Sequence, residues 1–552
     1  MHQYTRLLAS IAATLTTTLF ALGGAPPAWG QAATQQQQDC INGLAKSTQK
    51  LIKTYEKEIG TCVKSVSKEK LTACTDADAC VLGDLKGKVA KSQTAVDDAA
   101  GPGCAFTLQY PTWFSGDVDL VPLLGKVNPA PSSYLFGPLL DDATIVASVD
   151  KVGAKCQGKV QKSAAKLGAT VLKEFAGCTK KGLKDASIDS AATLEACFDT
   201  LVADAKGKIA KAEAKIDGAV TKSCVGVDLD VTFPGPCVGA GDAPACFAAQ
   251  TRCRTCQLLN RYNSVERDCD VFDDTAANGS CVIADGRCNG SGALCDRTFD
   301  NVSYPTAHNA MSNEDENWGA PLQTWGIADQ LNRGVRSMML DTYYYMGTPH
   351  LCHASCDLNM LQMWREPLVD GLVRIREFLE ARPEEVVSII FESYISEADT
   401  ATEFTAAGLD PYLHSQTAGQ PWPTLRALID AGTRLVVLTD DSSAALSWHH
   451  YLWTDFAWET HYSWLAPEDF LCAVNRGTMG NDLFIFNHFL TNPIGLKTLA
   501  ETVNYNPLLV DRALQCETEG GQLPNFITLD FVDVGDIFKV VDTMNDLGSC
   551  GG

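Results

Sequence analysis

Beyond its first thirty residues the 552-residue chain has no apolar run long enough to cross a bilayer, which excludes a downstream membrane-spanning helix. Positive charge is also scarce: 44 Lys and Arg stand against 67 Asp and Glu, for a formal net charge of -23. That balance excludes non-specific binding to nucleic acid and gives no help in approaching an anionic membrane. Cysteine, by contrast, is plentiful, and all 22 cysteines follow residue 30. The N-terminus carries Arg6, an apolar run over 7–22 broken by threonines, and then Ala28-Trp29-Gly30. This pattern predicts a signal peptide over 1–30, cleaved near Gly30, and an exported chain stapled by disulfides in the periplasm, at the cell surface or outside the cell. The length predicts two or three domains.

The cysteines reveal a duplication. Cys40 and Cys62 are separated by 22 positions, as are Cys156 and Cys178. Downstream of each pair comes a matching motif, Asp84-Leu85-Lys86-Gly87-Lys88 in one copy and Asp204-Ala205-Lys206-Gly207-Lys208 in the other. The Ala, Lys and Glu content suits helices, and 22 helical residues span about 33 Å, too far for the two cysteines of a straight helix to meet. Antiparallel hairpins solve this by joining Cys62 to Cys80 and Cys178 to Cys197 at the turns, with Cys40–Cys104 and Cys156–Cys224 at the open ends. Residues 31–225 are therefore expected to be tandem stapled hairpins, whose Lys-rich faces are solvated or hold an unknown partner.

Residues 226–296 form a Gly-rich, Cys-dense linker module. The Cys253/Cys256 spacing admits zinc, but an exported chain favours disulfides there. Carboxylates at Asp268, Asp270, Asp273 and Asp274 lack the full spacing of an EF-hand and read as a solvated turn.

From 297 to the C-terminus, apolar runs at 302–305, 337–345, 386–394, 434–439, 483–489 and 526–531 read as buried strands. Amphipathic segments at 368–381, 424–431 and 496–516 read as helices. The alternation predicts an α/β fold, a distorted TIM-type β/α barrel, with catalytic groups at the C-terminal ends of its strands. Polar residues stand at or near those ends: His308-Asn309, Asp341, His353 and Glu392.

His-Asn after the first strand, Gly334-Val335-Arg336 entering a strand that reaches Asp341, the Cys352-His353 turn, and Pro383-Glu384-Glu385 leading into a strand that reaches Glu392 form a long ordered set. Over about 294–547 the sequence resembles the X-domain of phosphatidylinositol-specific phospholipases C and the wider group of phospholipase C-like phosphodiesterases. The resemblance implies that His308 is the general base, His353 the general acid, and Asn309, Asp341 and Glu392 the ligands of a Ca²⁺ ion. Imidazole suits both proton transfers because its ordinary pKa lies near working pH, and a hard cation needs oxygen ligands. Acidic residues at 341 and 392 point to the metal-using branch, although Met339 stands where a further acidic ligand is expected.

Asp530, at the end of a late strand, is expected to orient the first histidine, with Asp533 as the alternative. Arg336 and His488 are the candidates for substrate contact, with a salt bridge and a hydrogen-bonded barrel histidine as their structural alternatives. The implied substrate is a phospholipid or another phosphodiester, reached by peripheral contact with a membrane. A glycerophosphodiester phosphodiesterase would carry an early His-Arg-Gly, whereas His308 is followed by Asn309 and Ala310. The remaining alternative is an inactive exported binding or adhesion protein.

Overall fold

In the computed structural model, the described residues are 32–100 except 75 and 85, 114, 131–281 except 138 and 264, 287–353, 356, and 365–547 except 493. The expected signal peptide lies outside them, as does the expected Cys40–Cys104 bond, because Cys104 does. Among the described residues no helix is long and apolar enough to cross a membrane.

The duplicated half is built on α1 (Gln35–Ser67), α2 (Lys88–Ala100), α3 (Lys151–Lys184) and α4 (Lys208–Ser223). The repeated Asp-x-Lys-Gly-Lys motif has a clear physical purpose. Asp84 and Asp204 take φ of 35° and 34°, and the following Gly87 and Gly207 also lie in the left-handed region, so each chain turns sharply. The Asp204 carboxylate then accepts from the backbone N–H groups of Lys208, Ile209 and Ala210, and Asp84 serves Lys88 and Ala90 in the same way. Each motif is thus a turn and a helix cap in one.

Disulfides Cys62–Cys80, Cys178–Cys197 and Cys156–Cys224 join the predicted partners. The two hairpins meet through α1 and α3, which run antiparallel: Ala147 N donates to Ser67 O at one end, and Gln161 Nε2 reaches Glu56 O further along. A fifth helix, α5 (Ala243–Asn263), packs on α3 and α4. Cys253 bonds to Cys281 and Cys256 to Cys269, so neither is available to zinc. Asp268 caps the short helix Cys269–Asp274 instead of opening a calcium loop.

The C-terminal half is a curled mixed sheet covered by helices. Its strands are β1 (Tyr304–Ala307), β2 (Ser337–Tyr345), β3 (Thr348–Cys352), β4 (Arg365–Pro367), β5 (Val387–Ser393), β6 (Leu435–Thr439), β7 (His449–Tyr451), β8 (Ala457–Thr460), β9 (Val474–Gly477), β10 (Leu483–Asn487) and β11 (Phe526–Leu529). The order β7-β6-β5-β2-β1-β11-β10-β8 is parallel throughout, and β9 adds an antiparallel edge. Among the described residues β7 pairs with neither β8 nor β9, and a π-turn at Leu452–Phe456 spans the gap. β2 runs on past the sheet and pairs with β3, which pairs with β4, forming a ribbon beside the mouth. Apolar side chains of the parallel strands, such as Leu340, Ile389, Val437 and Ile527, are wholly buried, as strands covered on both faces require.

The helix Leu368–Ala381 has the predicted bounds. The single helix expected over 496–516 is two, Lys497–Val503 and Leu508–Gly520. Pro507 between them lacks an N–H and disfavours helical geometry in the residue before it.

Candidate active site

Adjacent parallel strands bring distant residues side by side. Ala307 of β1 pairs with Leu529 of β11, so the next residue on each strand, His308 and Asp530, meet although 222 positions apart. His308 Nδ1 lies 2.7 Å from Asp530 Oδ1. Asp530 is buried, which pushes its carboxyl above the ordinary carboxylate range, while the charge and hydrogen bond of His308 oppose that push. Gln323 ties the two strand ends together: its Nε2 donates to His308 O and Leu529 O, and its Oε1 accepts from Val532 N. The imidazole stacks on Phe489, with ring centroids 4.1 Å apart. With Nδ1–H directed at the carboxylate, Nε2 is the atom left for chemistry.

Asn309 takes φ of 47°, a conformation that asparagine tolerates better than most residues. Its amide lies between His308 Nε2, 3.1 Å away, and both Asp341 carboxylate oxygens, each 3.0 Å away. With Nδ2 towards Asp341 the amide donates to the carboxylate. With Oδ1 towards Asp341, two acceptors face each other, an arrangement that a cation between them stabilises.

Asp341 is the register partner of Glu392 on β5, so both carboxylates project from neighbouring strand ends. The Tyr394 hydroxyl donates to Glu392 Oε1 over 2.6 Å. Burial, and then the charges of Asp341 and Glu392, raise the Tyr343 phenol to about 12. The narrow mouth, of about 80 Å³, is also lined by Asp440, Glu459, Arg476 and Asn487. Asp440 is raised by burial and then by Glu392, with Ser393 N opposing. Four carboxylates, Asp341, Glu392, Asp440 and Glu459, thus line one mouth, and oxygen donors of this kind suit a divalent cation by chemistry and by charge.

His353 follows β3 within the loop closed by the Cys352–Cys356 disulfide. Burial, and then the charge of nearby His308, lower it to about 4.

The PI-PLC X family profile matches residues 294–545. A PI-PLC X domain-containing protein 1 from Arthroderma benhamiae is 30% identical over 287 residues, covering 47% of this chain and 90% of that protein. This chain belongs to the PI-PLC X domain family. A PI-PLC X domain-containing protein from Arabidopsis thaliana is 28% identical, over 46% of this chain and 64% of its own length. An uncharacterized secreted protein from Arthroderma benhamiae is 26% identical, over 48% and 66%. The chain therefore spans slightly under two thirds of the length of these two relatives. A crystal structure of L. pealei PLC21 is matched at a TM-score of 0.23 and 12% identity, over 60% of this chain and 43% of that one.

Two expected substrate contacts of the PI-PLC X domain are corrected by its geometry. Arg336 precedes β2, at the end of the strand opposite Asp341, where its Nε donates to Glu385 Oε2 over 2.6 Å and its Nη1 to Leu331 O and Val335 O. It is a buried structural ion pair. His488 is fully buried, with Nε2 3.0 Å from Val503 O and Nδ1 3.1 Å from Arg512 Nη1. Strand alternation explains the second correction: Ile485, Asn487 and Phe489 line the mouth, so His488 between them points away. Asp533 accepts from the Thr324 hydroxyl and pairs with Lys497 instead of reaching His308.

Sequence reasoning missed Asp440, Glu459, Arg476, Asn487 and Phe489. Asn487 and Phe489 flank His488 and were open to the same alternation argument. Glu459 and Arg476 sit on β8 and β9, which are four residues each and too short to show a strand period. Arg476 Nε donates to Glu459 Oε1 over 2.5 Å, and its guanidinium lies 4.3 Å from the Trp453 ring centroid and 4.8 Å from that of Tyr462.

Proposed function

We propose that this PI-PLC X domain cleaves a phosphodiester, with His308 as general base and His353 as general acid. The observation carrying this reading is the 2.7 Å contact from His308 Nδ1 to buried Asp530, which leaves Nε2 at the carboxylate-lined mouth. The curled sheet reads as a distorted barrel, open between β7 and β8. Its substrate is a phospholipid head group bearing a hydroxyl next to the phosphate, as phosphatidylinositol does.

His308 Nε2 takes the proton of that hydroxyl as its oxygen bonds to phosphorus. The bond from phosphorus to the leaving oxygen breaks, and His353 supplies the proton that oxygen needs. The products are a cyclic phosphate and the freed alcohol. Asp530 holds His308 in the Nδ1–H tautomer and stabilises the imidazolium that forms. Arg476, held by Glu459 and stacked near two aromatic rings, is positioned to meet an anionic head group.

Asn309, Asp341 and Glu392 would hold Ca²⁺, which when bound offsets charge on the phosphoryl oxygens. The charge set supports this, because an anionic substrate would otherwise face Asp341, Glu392, Asp440 and Glu459. Export is supported by the disulfides, by the N-terminal pattern and by the relative named as secreted.

The test is release of water-soluble phosphate ester from phosphatidylinositol vesicles, with calcium or with a chelator. Activity that needs calcium and falls by about 10²–10⁴-fold in His308→Ala agrees with the assignment. Equal activity in the variant removes it.

A further inference from the structure

The lysine-rich face of the helical half has no part in this chemistry, and its charge is unusually segregated. Residues 294–552 hold 36 Asp and Glu against 13 Lys and Arg, which is the entire net charge of -23, while residues 1–293 hold 31 of each. Within that neutral half a trough of about 1730 Å³ runs along the seam between α1 and α3, and fourteen lysines and two glutamates line it. All fourteen lysines are exposed.

The lysines form opposed rows. Lys46, Lys50, Lys53, Lys57, Lys64 and Lys68 lie along or just beyond α1, five more lie between Lys151 and Lys173 on α3, and three lie on α4. Steps of three or four residues within the α1 row place a positive charge about every 5 Å along much of a rim roughly 33 Å long. The two glutamates leave this charge largely uncompensated. Glu56 is buried, accepts from Ser132 N, and is pushed up to about 7 by burial, while Glu174 is paired with Lys208. Among the described residues no other lining lysine has an ion pair. The pKa of Lys215 is pushed down, chiefly by its close approach to Lys166 and also by the charge of Lys211, so the lysines crowd one another.

Between the rims the floor is small and apolar, with Gly43, Ala154, Gly158, Ala165 and Ala169. A Cβ at Gly43 or Gly158 would meet nothing within 4 Å. These glycines therefore serve no packing within the chain, although a glycine inside a helix weakens it. What they leave is room for another backbone to approach.

We propose that this trough docks an acidic amphipathic helix of a partner protein, its apolar stripe on the Gly and Ala floor and its carboxylates against both lysine rims. A third helix laid on the seam of two packed helices is an ordinary packing solution, and helix-in-groove recognition uses apolar anchors at such spacing. Charge complementarity selects an acidic helix. A flat bilayer would touch only the rims, and a hydrated polyanion would leave the floor wet. Lysine, a point charge without the fork of arginine, suits carboxylates spread along a rod.

The test uses the full chain and a labelled synthetic helix of about six turns, with glutamates flanking a Leu/Ala stripe, read by fluorescence anisotropy. Comparison probes are the same peptide broken by central prolines and phosphatidylglycerol vesicles. Salt-sensitive binding of the helix is expected, weakened at least about tenfold by the prolines, by Lys53→Glu with Lys162→Glu, and by Gly158→Leu, which fills the floor where the chain itself has space. No binding of the helix overturns the proposal. So does equal or tighter binding of the broken peptide or the vesicles, indifference to Gly158→Leu, or self-association of the chain that the lysine reversals abolish.

Discussion

Gly495 stands directly against Asp530: a Cβ at that position would lie 2.6 Å from Asp530 Oδ2 and would also press on Leu322 Cδ2. The carboxylate that orients His308 therefore relies on the missing side chain of a residue 35 positions earlier in the chain. Gly495→Ala should push Asp530 off His308 Nδ1 and lower kcat by up to about 10²-fold, since small misplacements of catalytic groups carry that cost. Unchanged kcat in a folded variant would show that Asp530 has room to spare.

Asp530→Asn keeps the size of the side chain and removes the charge that selects the Nδ1–H tautomer. The expected loss in kcat is about 10²–10⁴-fold. The variant should retain the native near-UV circular dichroism spectrum, which separates a loss of orientation from a loss of fold.

His353, held near 4 in the free protein, is neutral at pH 7, yet its assigned role needs a proton. A bound phosphodiester anion supplies the missing stabilisation, so its NMR titration should move upward when a non-hydrolysable analogue binds. His353→Ala should be rescued by a substrate with a good leaving group, such as a nitrophenyl ester, and His308→Ala should not. The same depression has a stability consequence. Its folded pKa lies below the ordinary 6.5, so the stability this group contributes is present above about pH 6.5 and is lost as pH falls towards 4. Fully buried His488, lowered to about 3, extends that loss further into acid.

Calcium should raise the melting temperature of the protein, because an ion bound only by the folded state stabilises it by mass action. Asp341→Asn and Glu392→Gln should abolish that shift. In a chelator Asp341→Asn should melt no lower than the parent, since it relieves like charge at the mouth. A shift that survives both substitutions would place the ion elsewhere.

Arg336 and Arg476 should behave as opposites. Arg336→Met breaks a buried ion pair with Glu385 and is expected to cost about 3–5 kcal/mol of stability while leaving the KM of the folded fraction unchanged. Arg476→Ala, at the mouth, should raise KM with a smaller change in melting temperature. Equal melting losses would mean that Arg476 is structural too.

Much of this was legible in the sequence because it is local or ordered along the chain. The apolar run of β2 has the predicted bounds, and His308, Asn309, Asp341 and Glu392 stand at successive strand ends. The repeat followed from cysteine spacing, and so did the bonds Cys62–Cys80, Cys178–Cys197 and Cys156–Cys224. Three things were not legible. Which side of β10 faces the mouth depends on the strand's rotation, so His488 was chosen over Asn487. β7, β8 and β9 are too short to show a period, and Glu459 and Arg476 were missed with them, whereas Asp440 directly follows β6 and was open to the same strand-end argument as Asp341 and Glu392. The meaning of Arg336 depended on Glu385, 49 positions away, which only the strand pairing brings near.

The nine-residue β2 carries two responsibilities at once. Its inner stretch presents Asp341, and its overhang pairs with the ribbon strand that leads to His353, so carboxylate and imidazole ride on one continuous lever. Bending that strand would shift both together, which means that a lesion at the tip of the ribbon should be felt as a change in calcium affinity before any chemistry begins.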